Sequence, residues 1–379
     1  MQTSVAPPRR RWIASRVVLP LLAVVLGCEV AVLALEPSLP PVVDHSTRDY
    51  EAKIEQMDAL AASGGADVVF AGTSQVMFSV DPAVLEDSGA AWSSYNAAVP
   101  GGVPTINAHW LLDEVVPRIQ PSTVVYGIGP IDLHRTATTM ELEERYYASR
   151  SVRDDLLGRL ERWTAGVSAL VRNRESLRQP DVIVKSALDR VRGRTQASAI
   201  EEITAFRGLD AGGHASQFDP HKFTTDRFPI APQDLADYSV GPEVMQAIEE
   251  TVVELHDRGI DVVLLALPVA DEMAGWLPGG TDDIERAMDA LRDVAARTDT
   301  PILDLATGMS DEFWFADPMH LNRVGASVFN AALASVFSDA GDRLESVAAS
   351  WTGGALVTSD IRRSAAVVRA AQALYPRLD

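Results

Sequence analysis

A serine, a histidine and an aspartate stand in this chain where they could form a proton-transfer relay. Ser74 lies in Gly72-Thr73-Ser74-Gln75, directly after the apolar run from Asp67 to Gly72. A serine on the turn leaving a buried strand is held rigidly and exposed, as a nucleophile needs to be. His320 lies in Asp317-Pro318-Met319-His320-Leu321-Asn322, just ahead of a helical stretch. An aspartate three residues before a histidine can reach its Nδ1–H, leaving Nε2 free to accept a proton from a serine. Asn96-Ala97-Ala98-Val99-Pro100-Gly101-Gly102 supplies glycines whose backbone N–H groups could face a developing oxyanion. Taken singly, each segment also reads as an ordinary turn, and Asn322 as a helix cap. Of the other six histidines only His134, two residues after Asp132, also follows an acid at a strand end.

Something must hold these segments together, and the hydrophobic pattern supplies it. Asp67 to Gly72, Ala91 to Val99, Thr123 to Ile128, Ile260 to Leu267 and Pro301 to Leu305 read as short buried strands. Ile106 to Ile119, Pro242 to Arg258, Thr281 to Thr298 and Asn322 to Ser338 carry helical spacing, with Gly259 a stop signal after the second. Strand–helix alternation of this kind predicts an α/β fold, a parallel sheet covered by helices on both faces. In such sheets function gathers at the carboxyl ends of the strands, which is where Ser74 and Gly101 fall. Between His134 and Tyr238 the alternation stops. Residues 145–194 look helical and hold 12 basic against 6 acidic residues, so they read either as a solvated helical hairpin or as a cap whose arginines face an anionic substrate or lipid headgroups. Residues 206–234 read as an irregular loop.

In order and spacing, these segments resemble the SGNH (GDSL-type) hydrolase superfamily over about Asp67 to Phe337. The resemblance implies a three-layer α/β/α, flavodoxin-like fold, with Ser74 as nucleophile, Gly101 as the second-block glycine, and Asp317 and His320 completing the triad. The backbone N–H groups of Ser74 and Gly101 would hold the oxyanion, with Asp132 and Asn322 as further candidates at the substrate pocket. The third block departs from the family's Gly-x-Asn-Asp: it reads Gly127-Ile128-Gly129-Pro130-Ile131-Asp132, so the oxyanion-binding asparagine is missing. Loss of one such donor costs about 3–4 kcal/mol of transition-state stabilisation. The departure leaves open a second function, a non-catalytic polymer-binding or assembly module on the same fold. With a membrane anchor and an altered third block, the chain is similar to the branch that includes the D-alanyl transfer protein of teichoic-acid modification and the alginate O-acetyltransferases. That similarity implies an O-acyltransferase or carbohydrate esterase acting on a cell-envelope polysaccharide, beside a polytopic membrane acyltransferase. It implies no cofactor, and no metal-ligand signature appears in the sequence.

Composition bounds the partners and the compartment. The net charge is −20, and without the first sixteen residues, which hold four arginines and no acid, it falls to −24. A body that acidic is repelled by phosphate backbones, which argues against nucleic-acid binding. A single cysteine, Cys28, excludes an internal disulfide framework and multi-cysteine metal sites. Arg9, Arg10, Arg11 and Arg16 precede Val17 to Leu35, an apolar run of 19 residues broken by one charge, Glu29. The spacing predicts a single-pass transmembrane helix with its basic end cytoplasmic and everything after Leu35 outside. A lipoprotein box ending at Cys28 and a cleaved signal peptide are the alternatives. The expected organisation is a basic tail over 1–16, an anchor over 17–35 and a linker or stalk over 36–60. An SGNH-like domain over 61–343 follows, with a helical insertion at 134–238, and peripheral helices occupy 344–379.

Overall fold

The computed structural model describes residues 10–35, 45–87, 92–101, 103–134, 199–218, 223–226, 228, 230–306 and 309–339, with scattered positions between 163 and 188. The expected helices at 344–379 and most of the basic stretch 145–194 lie outside them. The chain divides into two compact units, one of residues 1–44 and 147–196, the other of 45–146 and 197–379.

In the first unit, helix α1 runs from Arg10 to Leu35. From Leu19 onward its side chains are almost all exposed, Leu22, Val25, Leu26 and Leu33 among them, although nearly every one is apolar. Among the described residues no helix is long and apolar enough to cross a membrane. Glu29, the one charge of this run, is not bare: it accepts hydrogen bonds from the Ser168 hydroxyl at 2.9 Å, the Leu170 N–H at 3.3 Å and the Ala169 N–H.

The second unit holds a parallel five-stranded sheet. Helix α2 (His45–Ala62) leads into β1 (Val68–Ala71), α3 (Ser74–Ser79), α4 (Pro82–Asp87) and β2 (Ser94–Asn96). A helical stretch from Pro104 to Ile119 then precedes β3 (Thr123–Ile128). Its middle, Trp110–Val115, widens into a π-helix just before Pro117, whose ring nitrogen cannot donate to the preceding turn. After the interruption come α5 (Ala199–Arg207), α6 (Pro242–Asp257), β4 (Asp261–Ala266), α7 (Thr281–Arg297), β5 (Ile302–Asp304) and α8 (Arg323–Asp339). All five predicted strands and all four predicted helices are present, with ends moved by a few residues.

The strand order is β2-β1-β3-β4-β5 and every pair is parallel. That is the doubly wound order whose direction of winding reverses between β1 and β3, the place where such sheets open a crevice. Right-handed crossovers send helices to opposite faces on the two sides of that point. The contacts agree: α6 meets α7 and the Pro104–His109 turns, while α8 meets α3 and α4. β1 and β3 are buried on both faces, as their unbroken apolar runs require.

Two expectations need correction. Residues 36–60 were expected to form a linker or stalk, but from His45 the chain is helical, and Ala52, Lys53 and Met57 are fully buried. This helix escapes a reading by apolar runs because its buried face includes charged groups that find partners: Arg207 forks onto Asp49 at 2.7 and 2.8 Å, and Lys53 donates to the Asn96 and Gly213 carbonyls. The interruption at 134–238 is also not one insertion. Residues 199–235 belong to the sheet-bearing unit, with α5 packed on α2, because their apolar side chains Ile203, Leu209 and Ala215 complete its core.

Candidate active site

Between Val68 and Val80 every residue is buried except Ser74, which keeps part of its surface open. Two contacts make that possible. Gly72, at φ +149°, lets the chain leave β1 so sharply that a Cβ there would lie 2.6 Å from the Gly127 carbonyl oxygen. Thr73 then caps α3, its hydroxyl accepting the Gln75 N–H at 3.4 Å, so Ser74 occupies the first helical position. There its backbone N–H has no intrahelical acceptor and is available to a ligand.

The Asp317–His320 loop meets this turn from the other end of the chain. The Phe315–Leu321 bridge and the Ala316 N–H to His320 carbonyl bond of 2.8 Å close the loop on itself. The Ala270 N–H donates to the Pro318 carbonyl at 2.9 Å, tying it to the segment after β4. Asp317 Oδ1 accepts the Met319 and His320 N–H groups at 3.0 and 2.9 Å, and Oδ2 faces His320 Nδ1 at 2.7 Å. A carboxylate can only accept, so Nδ1 carries the proton and Nε2 presents its lone pair. That Nε2 is 2.8 Å from Ser74 Oγ. Ser74, His320 and Asp317, 246 residues apart at the extremes of the relay, thus form a continuous hydrogen-bonded array, with Asp317 and His320 buried.

Gln75 was not singled out by the sequence, and it joins the two halves of this array. Its amide NH₂ donates to the Pro268 and Met319 carbonyls, both at 3.1 Å, linking the residue after Ser74 to the residue before His320. Its Oε1 has no hydrogen-bond partner and points at Gly129, where a Cβ would lie 2.0 Å away. Gly129 is in an ordinary extended conformation, so glycine is required there for space and not for φ. Gly129→Ala should therefore cost about 1–3 kcal/mol of stability, the usual range for overpacking a filled site. Urea unfolding checks this, and an unchanged midpoint would mean Gln75 is free to move aside.

The other predicted site residues divide. Gly101, at φ +70°, ends a loop that runs beside the serine turn: the Val99 N–H donates to the Gly72 carbonyl at 3.3 Å and the Trp110 indole N–H to the Ala97 carbonyl at 2.7 Å. Asn96, in the same segment, is structural, donating to the Val76 and Val80 carbonyls and so fastening α3 to β2. Asn322 does not reach the pocket. Its Oδ1 accepts the Val324 and Gly325 N–H groups, both at 3.0 Å, and its NH₂ donates to Phe313 and Phe315. It is a helix cap, with every polar atom spent on backbone. His134 stays out of the array as well, its Nδ1 lying 3.1 Å from the Ser239 carbonyl oxygen and 3.2 Å from the Ser239 nitrogen.

Asp132 stands behind the serine turn. Its Oδ2 accepts the Gly129 N–H at 2.8 Å and faces the Thr73 hydroxyl at 3.4 Å. Burial pushes its carboxyl up to about 7, against the opposing pull of those two hydrogen bonds and of His320. A carboxyl raised in this way keeps its proton in the folded chain while the unfolded chain has lost it. Its contribution to stability should fall as pH rises from about 4 to about 7 and stay flat above. Asp132→Asn should remove that decline; identical pH slopes for the two proteins, measured by urea midpoint, would count against it. Lys53, pushed down to about 7 by burial, acts in the separate window above pH 7, where its contribution rises with pH.

Residues 206–234, read from sequence only as an irregular loop, include aromatic residues that meet the array. Phe218 stacks on the His320 ring with centroids 4.5 Å apart and planes 5° from parallel. Phe78 and Phe228 meet the same ring edge-on at 5.4 and 6.3 Å, and Phe228 also touches Trp276. Among the described residues, one group has metal-ligating atoms within 4.8 Å of one another, Asp81, Asp210 and His214. None of the three belongs to the Ser74–His320–Asp317 array.

No protein-family model matches the chain, and no curated protein is recognisably similar to it in sequence. In structure it aligns with a protein of Bacteroides fragilis NCTC 9343 described as a "putative acylhydrolase". The alignment covers 76% of this chain and 97% of that one, with a TM-score of 0.36 and 11% identity. A likeness that loose carries no argument about activity, and the functional reading rests on the site itself.

Proposed function

We propose that the chain is a membrane-anchored, extracytoplasmic serine acyltransferase or esterase of the SGNH type, acting on O-acyl groups of a cell-envelope polysaccharide. The observation that carries the chemical part is the array Ser74 Oγ, His320 Nε2, Asp317 Oδ2, with links of 2.8 and 2.7 Å, on a turn where only Ser74 is open to solvent. As Ser74 Oγ attacks an ester carbonyl, its proton passes to His320 Nε2, and Asp317 steadies the imidazolium that forms. The tetrahedral oxyanion takes hydrogen bonds from the Ser74 and Gly101 N–H groups. Collapse breaks the ester bond, the leaving alcohol takes the proton from Nε2, and the acyl group remains on Ser74. A sugar hydroxyl or water then gives its proton to Nε2 and attacks the acyl-serine, which restores the enzyme.

The anchor and the compartment are supported by the sequence: an arginine-led apolar run from Val17 to Leu35, whose described side chains stay exposed. Transfer is favoured over hydrolysis by the resemblance alone, and so is a polytopic acyltransferase as partner. The test is to treat the full chain in detergent with a fluorophosphonate and map the adduct by mass spectrometry. Modification at Ser74 is expected. A folded protein that stays unmodified would favour the second reading, a polymer-binding or assembly module, for which the missing third-block asparagine already speaks.

A further inference from the structure

The imidazole of His320 is oriented on its edge by Asp317 and Ser74, but its face is covered by a residue from an unrelated part of the chain. Phe218 lies parallel to it at 4.5 Å, closer and flatter than either of its other aromatic neighbours, Phe78 and Phe228. A side chain on a loop keeps such a geometry only if the loop itself is held. Here the holding is extensive. Arg207 forks onto the buried Asp49 of α2 and places its remaining NH on Gln217 Oε1 at 2.9 Å, one residue before Phe218. The Asn96 N–H donates to the Gly212 carbonyl at 2.8 Å, which fastens the loop to β2, and the Ala215 N–H donates to the Met77 carbonyl at 3.1 Å. Gln56 of α2 donates to the Asp210 carbonyl at 2.7 Å, and beyond the aromatic cluster the Thr224 N–H donates to the Ala316 carbonyl at 3.0 Å, at the triad loop itself.

We infer that Phe218 is a positioning residue of the relay, its π-face fixing the plane of the His320 ring and favouring the imidazolium form, and that the strap 207–218 is clasped to α2 in order to hold it there. A cation over an aromatic face gains about 0.5–2 kcal/mol, which an aliphatic side chain of equal bulk does not supply. The gain arises only when His320 becomes charged, so it acts on the transition state more than on the resting enzyme. The inference rests on the serine-enzyme reading for its kinetic consequence, but the ring geometry can be tested without it.

The experiment compares Phe218→Leu, Phe218→Trp and Gln217→Ala in the full chain by two readouts. The first is the rate of fluorophosphonate labelling at Ser74. Phe218→Leu should slow it by about 3- to 30-fold, Phe218→Trp should restore it, and Gln217→Ala should slow it less, in the same direction, with thermal midpoints unchanged. The second is the NMR titration of the His320 ring, whose titratable and charged neighbours are Asp317 on its own loop, Asp132 behind the serine turn and Arg207 across the Phe78 ring. Leucine should lower the titration midpoint and remove the ring-current shift, and tryptophan should restore both. Equal rates and midpoints for phenylalanine and leucine would overturn the inference while leaving a labelled Ser74 intact. A wild-type protein without labelling but with the leucine shift in the titration would instead sink the serine-enzyme reading and keep the ring geometry.

Discussion

Replacing Ser74 with alanine should abolish fluorophosphonate labelling and lower turnover of an aryl acetate by about 10⁵–10⁶-fold, the scale on which a nucleophile and its base act together. His320→Ala should cost nearly as much, and the double variant little more than either single one. The reason is geometric: in the proposed mechanism the 2.8 Å bond from Ser74 Oγ to His320 Nε2 is the path by which the nucleophile sheds its proton, so removing either end removes the same step. Residual activity should be what the oxyanion donors alone provide. Initial rates on the single and double variants decide it. Additive losses would mean that the two residues do not share a step, and wild-type rates in Ser74→Ala would end the serine mechanism.

Asp317→Asn should leave the fold in place and still reduce turnover by about 10⁴-fold. Asparagine can keep Oδ1 as acceptor for the Met319 and His320 N–H groups, so the loop retains its closure. What changes is the atom facing His320 Nδ1, which becomes an NH₂ donor in place of an acceptor at 2.7 Å. The imidazole then places its proton on Nε2, pointing at Ser74, where it cannot accept another. Burial sharpens the effect, because Asp317 and His320 are both shielded from solvent. Circular dichroism should match the wild type while the rate collapses. A loss below tenfold would mean that Asp317 serves only to cap its loop.

The apolar run from Val17 to Leu35 bears on how such measurements are set up. Glu29 lies within the apolar stretch, and its carboxylate is met by the Ser168 hydroxyl and by the N–H groups that open the Ala169–Arg172 helix. A carboxylate in an apolar helix costs about 2.5–3.5 kcal/mol at a bilayer centre, and partners of this kind reduce it. The full chain, with residues 147–196 present, is therefore the form in which activity should be assayed.

Much of the scaffold could be read from the chain because its signals are local. β1, β3 and β4 are continuous apolar runs since both their faces are buried, and Gly259 stops a helix by adopting φ +75°. The Asp317–His320 pair was equally legible, because three residues of loop fix which atoms can meet. What escaped were relations between distant segments. Helix α2 hides its packing face behind Asp49 and Lys53, charges that become buriable only when Arg207 and two carbonyls meet them. Gln75 looks like any polar residue after a turn until Pro268 and Met319 converge on its amide. Asn322 was read as both cap and pocket residue; the turn before α8 uses all its hydrogen bonds, which leaves the cap alone.

By itself, then, the sequence determined the parallel sheet, the placing of Ser74 at a strand's carboxyl end and the pairing of Asp317 with His320. Each depends on residue type and short spacing, and short spacing constrains geometry directly. Only the tertiary structure decided that His320 faces Ser74, that Gln75 locks the two loops together and that Phe218 lies on the imidazole. Those contacts span 246, 244 and about a hundred residues. No local propensity encodes them: they exist because burying the core brings the ends of β1, β4 and the strap to one crevice, where direction and distance are set by packing.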